Sequence, residues 1–282
     1  MICDTVDLYG YFSRPRGSAE GGELTRYLHG QIEEAHLQKV RPAMLVIPGG
    51  GYGMVSQRES EPVATAYFAA GYNVFVLRYS VAPAHYPTQL TEAGMAMLYL
   101  RREAVALNID GAHVAAVGFS AGGHLCGCIS LLWDDPALVS AFGAECGKIR
   151  PDASVYAYAV VTADAAKYHG GSFRNFCADA VPFEAYSLEK KVRPAAPPAF
   201  LWATSDDGAV PVENSVRLYS ALHDAGVPAE LHLFEHGPHG MSVCNEEAFP
   251  SPVEDPAFAR AANWLPLSLT FLKAHGFCMH NK

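Results

Sequence analysis

The sequence predicts an α/β fold in which a mostly parallel central sheet is flanked by helices, and three observations predict it. Short continuous apolar runs recur at residues 44–47, 73–79 and 114–117, the pattern of strands buried on both faces. Stretches of helical spacing separate or follow them: residues 61–70, and residues 88–107 with Leu90, Ala93, Met97, Leu100 and Ala104 on one stripe. The first and third runs break into glycine-bearing loops, Pro48-Gly49-Gly50-Gly51-Tyr52 and Gly118-Phe119-Ser120-Ala121-Gly122-Gly123-His124. Strands alternating with helices imply right-handed crossovers and therefore parallel neighbours.

In chain order, residues 6–12 alternate weakly and are expected to form an edge strand. Residues 13–39 have no firm period, so residues 1–40 read as a variable N-terminal extension. After the three early strands, residues 125–132 look helical, and residues 154–161 predict a fourth parallel strand. Residues 162–198 form a polar, proline-bearing excursion, expected to be a lid or pocket wall at the ligand end of the sheet. Residues 199–204 and 229–234 predict two more strands around a helix at 212–225 opened by Pro211. Residues 256–275 predict a closing helix, bent or broken at Pro266. No composition shift marks a linker, so residues 1–282 read as one domain.

Composition narrows the class of ligand. With 20 Lys and Arg against 29 Asp and Glu, a formal net charge of −9 and no basic run, the chain is a poor match for nucleic acid. A small-molecule partner is expected instead, and a homo-oligomer is compatible with the sequence. The seven cysteines are scattered without metal-ligand pairing, which fits a reducing cytoplasm. The residues after Met1 have no signal-peptide character, and there is no 18-residue apolar run. A cytoplasmic protein without membrane attachment is therefore expected.

The chemistry is carried by strand-end loops, which share one edge of a parallel sheet. Ser120 lies between Gly118 and Gly122, leaving a strand and entering a helix. This is the pattern of a sharp turn that exposes a serine nucleophile and needs slender flanking residues. Serine is a weak nucleophile until a histidine takes its proton, and that histidine needs a carboxylate on its other ring nitrogen. Ser205-Asp206-Asp207 follows the fifth strand, and His236-Gly237-Pro238-His239-Gly240 follows the sixth. Asp207 is preferred over Asp206, because Val210-Pro211 anchor its loop to the next helix. His239, between Pro238 and Gly240, is preferred over His236. The backbone N–H groups of Gly50, Gly51 and Ala121 are candidate donors to an oxyanion. The glycines lack dinucleotide and phosphate-loop spacing, and His236-x-x-His239 lacks the intervening Glu of a zinc motif, so neither cofactor nor metal is expected.

On these residues the chain resembles the α/β-hydrolase superfamily, and within it bacterial acetyl esterases related to acetylxylan and feruloyl esterases. The resemblance runs through Arg41-Pro42, Pro48-Gly49-Gly50-Gly51-Tyr52, Ser56-x-Arg58-Glu59, Gly118 to Leu125, residues 197–202, Asp206-Asp207-x-x-Val210-Pro211 and Gly237-Pro238-His239-Gly240. It implies a serine carboxylesterase that cleaves short-chain esters, with acetyl on a carbohydrate or similar alcohol as the expected substrate. The nucleophile falls on Ser120, the acid on Asp207 and the base on His239. Tyr52, Tyr168 and His169 are expected to contact substrate. Pro48 stands where many relatives carry a loop-orienting histidine, so this loop must be held otherwise. Arg58 and Glu59 could hold it as an ion pair, contact substrate, or be solvated. Amide-cleaving relatives and hydrolase folds that only bind ligand are the competing readings; the second class usually lacks a triad member.

Overall fold

The computed structural model describes residues 1–35, 38–249 and 256–281. The chain opens with β1 (Ile2–Asp7), a one-turn helix α1 (Leu8–Tyr11) capped by the Asp7 carboxylate, and β2 (Glu23–Leu28). β3 (Lys39–Ile47), α2 (Glu61–Ala69), β4 (Asn73–Arg78), α3 (Thr88–Arg102), β5 (Ile109–Phe119) and α4 (Ala121–Leu131) build the centre. The second half adds α5 (Pro136–Phe142), β6 (Ala153–Ala157), α6 (Gly170–Cys177), β7 (Ala199–Thr204), α7 (Glu213–Asp224) and β8 (Ala229–Phe234). Helices α8 (Pro256–Ala261) and α9 (Trp264–Ala274) follow, and a short β9 (His280–Asn281) pairs with the start of β3.

The main strands lie in the order β1-β2-β4-β3-β5-β6-β7-β8. From β4 to β8 all neighbours are parallel, whereas β1-β2 and β2-β4 are antiparallel. Side chains alternate across a strand, so a strand covered on both faces must be apolar at every position. Leu45, Ile47, Val114, Ala116 and Leu201 pack toward α3, α4 and α7. Their neighbours Met44, Val46, Val117, Phe200 and Trp202 pack toward α2 and α9. Burying one such Val or Leu side chain contributes about 2 kcal/mol, which is why the central strands were legible as unbroken runs.

The N-terminal segment differs from expectation. Residues 6–12 are not an edge strand: β1 ends at Asp7, and the chain turns through α1. Nor are residues 1–40 an appendage, because β2 pairs with β4 in register and Leu8 and Leu24 are fully buried. A buried carboxylate, Glu92 of α3, ties this region down. It accepts from the Ser80 N–H and hydroxyl and from the Tyr9 hydroxyl, while Ser80 Oγ accepts the Gly21 N–H. Burial raises the Glu92 pKa against the opposing effect of these donors. At the other end of the chain, the helix break falls at Ala262-Asn263. Pro266 instead sits in the first turn of α9, where its missing N–H costs no helical hydrogen bond. Strand β6 stops at Ala157, four residues short of the expected end, because Tyr158 takes φ +37° and leaves the sheet. Among the described residues, no single helix is long and apolar enough to cross a membrane.

Candidate active site

Strand order reverses about β3, with β4 on one side and β5 on the other, so the loops leaving β3 and β5 meet at one crevice. Ile47 pairs with Gly118, which brings the glycine loop directly beside the turn at Ser120. Ser120 has φ +52° and ψ −119°, a strained conformation for a residue with a side chain. Three backbone bonds hold it there: its N–H donates to Ala157, and its carbonyl accepts from His124 and Val160. At Gly122 a Cβ would lie 2.1 Å from the Ile47 carbonyl oxygen, so the turn admits only glycine.

Loops after β7 and β8 complete a relay. His239 Nε2 is 2.8 Å from Ser120 Oγ, and His239 Nδ1 is 2.7 Å from Asp207 Oδ2. The other Asp207 oxygen accepts the N–H groups of Ala209 and Val210 at 2.8 and 3.0 Å, and its side chain is 0% exposed. The Thr204 hydroxyl, at the end of β7, donates to the Gly237 carbonyl and joins the two loops. The serine is 6% exposed.

The N–H groups of Gly50, Gly51 and Ala121 donate to no protein acceptor among the described residues. Gly50 and Gly51 have φ of +116° and +63°, and the loop is pinned from several directions. The Tyr79 hydroxyl donates to the Pro48 carbonyl, Asn175 Nδ2 to the Gly51 carbonyl, and the Gly49 N–H to Glu59 Oε2. Tyr52 is completely buried, with its hydroxyl 2.9 Å from His124 Nδ1, while His124 Nε2 faces the Tyr186 carbonyl. The carbonyl can only accept, so the His124 proton sits on Nε2 and Nδ1 accepts from the tyrosine.

Burial pushes the His124 pKa down to about 4. The unfolded chain, with an imidazole near ~6.5, takes up that proton first, so folding stability is full above this value and falls as pH drops. His124 alone is expected to lower stability by about 1.5 kcal/mol between pH 6.5 and pH 5. His29 and His169, also held down by burial, act in the same direction. Urea unfolding across this interval checks it; stability that is flat or rises on acidification excludes the neutral buried imidazole.

The geometry brings Ser120, Asp207, His239 and the three N–H groups together, and separates their alternatives. Asp206 and His236 instead pair with each other on the surface at 3.0 Å, and Asp206 also accepts the Gly237 N–H. The expectation that Tyr52 contacts substrate is corrected, because its ring packs among Tyr79, His124 and Phe176 with no face exposed. His169 caps α6 through Nδ1, which accepts the Ser172 N–H at 3.2 Å and lies 2.8 Å from the Ser172 hydroxyl. Its ring is next to Gly51, and burial and then the charge of His239 hold it below the usual imidazole range. Tyr168 packs on Phe173 and makes no hydrogen bond or ring contact with the triad. Arg58 and Glu59 form no ion pair with each other: Glu59 is buried, whereas the exposed Arg58 guanidinium lies over the Phe249 ring. Sequence reasoning missed Tyr158, His124 and Asn175, whose partners are distant in the chain. Cys126 and Cys128 are buried free thiols, the first pushed up to about 12 by burial.

The family described as BD-FAE matches residues 32–164. The acetyl ester-xyloside bifunctional hydrolase from Caldicellulosiruptor lactoaceticus superposes with a TM-score of 0.81 and 31% identity, covering 97% of each chain. This chain belongs to the α/β-hydrolase esterase group. Two other similar proteins are longer than this chain. Endo-1,4-beta-xylanase B of Butyrivibrio fibrisolvens is 37% identical over 220 residues, 74% of this chain and 34% of its own length. Acetylxylan esterase of Xylanibacter ruminicola is 30% identical over 207 residues, 71% of this chain and 41% of its own length. The chain thus spans between a third and a half of the length of these curated relatives. The membership agrees with the mostly parallel sheet.

Proposed function

We propose that this α/β-hydrolase is a serine esterase that removes short acyl groups, acetyl foremost, from a carbohydrate or similar small alcohol. The observation that carries this reading is the unbroken relay from Asp207 through His239 to Ser120, set beside N–H groups that have no protein acceptor among the described residues. Ser120 Oγ attacks the ester carbonyl while His239 Nε2 takes its proton. Asp207 keeps the other proton on Nδ1 and stabilises the imidazolium. The oxyanion rests on Gly50, Gly51 and Ala121, each donor lowering the barrier by about 3 kcal/mol. His239 then protonates the departing alcohol, and water, activated by the same imidazole, releases the acyl group. No step needs a cofactor.

The acetyl and carbohydrate parts of the proposal are supported by the names of an acetyl ester-xyloside hydrolase and an acetylxylan esterase among similar proteins. In this reading residues 162–198 are a fixed wall on the leaving-group side rather than a flap. Phe173, Phe176 and Leu188 are buried, and Asn214 of α7 accepts the N–H groups of Val161 and Thr162. His169 offers that wall a polar contact: with Nδ1 used as the helix cap, its proton lies on Nε2, free to meet a substrate oxygen. Tyr168 is its neighbour in the proposed contact set.

A substrate panel tests the function. We expect p-nitrophenyl acetate and an acetylated xylo-oligosaccharide to be hydrolysed, with p-nitrophenyl octanoate slower by about tenfold or more. Faster cleavage of a formyl anilide or an amino-acyl amide than of any ester overturns the esterase assignment.

A further inference from the structure

The group left unused by this mechanism is the buried carboxylate of Glu59, 3% exposed, on the short turn that follows the glycine loop. Its Oε2 accepts the Gly49 N–H at 2.8 Å, and its Oε1 accepts the Tyr158 hydroxyl, also at 2.8 Å. Tyr158 in turn accepts the Ser242 N–H at 2.9 Å, and its ring meets the His239 ring edge-on at 4.9 Å. The Ser242 hydroxyl donates to the carbonyl of Arg58, the residue beside Glu59, and so closes the circuit. Among the described residues no cation pairs with the Glu59 carboxylate, although an unpaired buried charge is costly. A Cβ placed on Gly49 would come within 3 Å of Glu59 Oε2, Ser120 Cβ and the Phe119 carbonyl at once, so this carboxylate sits directly under the nucleophile.

We infer that Glu59 is a positioning residue that holds the oxyanion loop and the His239 loop in fixed register, through the Gly49 amide on one side and Tyr158 on the other. The inference rests on the esterase reading. The Gly49 N–H is a fixed donor that needs an acceptor, and the Tyr158 hydroxyl, which already accepts the Ser242 N–H, donates to the other oxygen. Glutamine keeps its oxygen toward the Gly49 N–H and turns its NH₂ group toward Tyr158, whose hydroxyl then has to accept and no longer donates across the bridge. Losing the charge-assisted bonds loosens the tie between the glycine loop and the His239 loop, so the N–H groups that meet the oxyanion are held less firmly, a fault that is felt in the transition state more than in substrate binding.

The test uses the purified full chain with Glu59→Gln and Tyr158→Phe. Rates are expressed per active site titrated with a fluorophosphonate, so that misfolded material does not count. Glu59→Gln is expected to lower kcat on p-nitrophenyl acetate by about 10²-fold with KM changed by less than about threefold. The affinity for phenylboronic acid, which adds to the serine as a tetrahedral adduct, should fall by the same factor as kcat/KM. A residue with only a structural role would lower the titratable fraction and leave kcat per site intact, and that result overturns the inference. If Glu59→Gln does not accumulate as folded protein, Tyr158→Phe decides, since it keeps the ring against His239 and removes only the bridging hydroxyl. Its kcat per site should drop by about tenfold, and a rate within about twofold of the parent overturns the inference. A parent protein that neither hydrolyses esters nor is labelled at Ser120 overturns the esterase reading itself, and this inference with it.

Discussion

Ser120→Ala should reduce hydrolysis of p-nitrophenyl acetate by about 10⁴-fold or more, leaving the residual rate that an oxyanion site and binding alone support. The fold should be unaffected. Alanine keeps the Cβ that packs under the glycine loop and loses only the hydroxyl that faces His239. The three backbone bonds that impose the strained turn belong to residue 120 whatever its side chain. The expected result is therefore a thermal midpoint close to that of the parent, no fluorophosphonate adduct by mass spectrometry, and no nitrophenol release above background. Undiminished turnover in a pure folded sample would remove Ser120 from the mechanism.

The second large effect is expected at Asp207. Asparagine there should keep its oxygen toward the Ala209 and Val210 N–H groups, because those donors need an acceptor. Its NH₂ group then faces His239 Nδ1, which has to become an acceptor, and the ring proton moves to Nε2. A protonated Nε2 cannot take the Ser120 proton, so kcat should fall by about 10³- to 10⁴-fold with little change in KM. The comparison residue is built into the same loop. Asp206 pairs with His236 at the surface, and Asp206→Asn should change kcat by less than about threefold. Measuring both variants at neutral pH distinguishes the two acids, and equal losses would reopen the choice between them.

The features legible in the sequence are those with local physical causes. Apolar runs at 44–47, 114–117 and 199–204 mark strands sandwiched between helices, since both of their faces are covered. The glycines around Ser120 mark a turn in which a Cβ meets the neighbouring strand. Asp207 and His239 could be preferred over Asp206 and His236 because proline, valine and glycine around them describe tight loops at strand ends. Less legible was the N-terminal segment: β1 is the exposed edge strand and β2, between β1 and β4, is only partly buried, so neither needs an unbroken apolar run. The break at Ala262-Asn263 was also hidden, because a proline is an obvious helix breaker only when it falls past the first turn.

Tertiary structure alone decided how the site is held. Tyr52 reads as a loop aromatic beside a glycine loop, a fair candidate for substrate contact, yet packing against Tyr79 and Phe176 withdraws it into the core. Glu59 reads as one of two charges after the glycine loop that could hold it as an ion pair, contact substrate or be solvated, and only the approach of Gly49 and Tyr158, the latter 99 residues away, makes it a buried acceptor. Sequence by itself determined the chemistry that residue types permit: a serine on a sharp turn, an acid and a base in the following strand-end loops, and a glycine loop with N–H groups to spare. The fold determined which of these groups meet and what fixes them. Hydrogen bonds between residues far apart in the chain depend on distance and direction, and neither is written in any local stretch of residues.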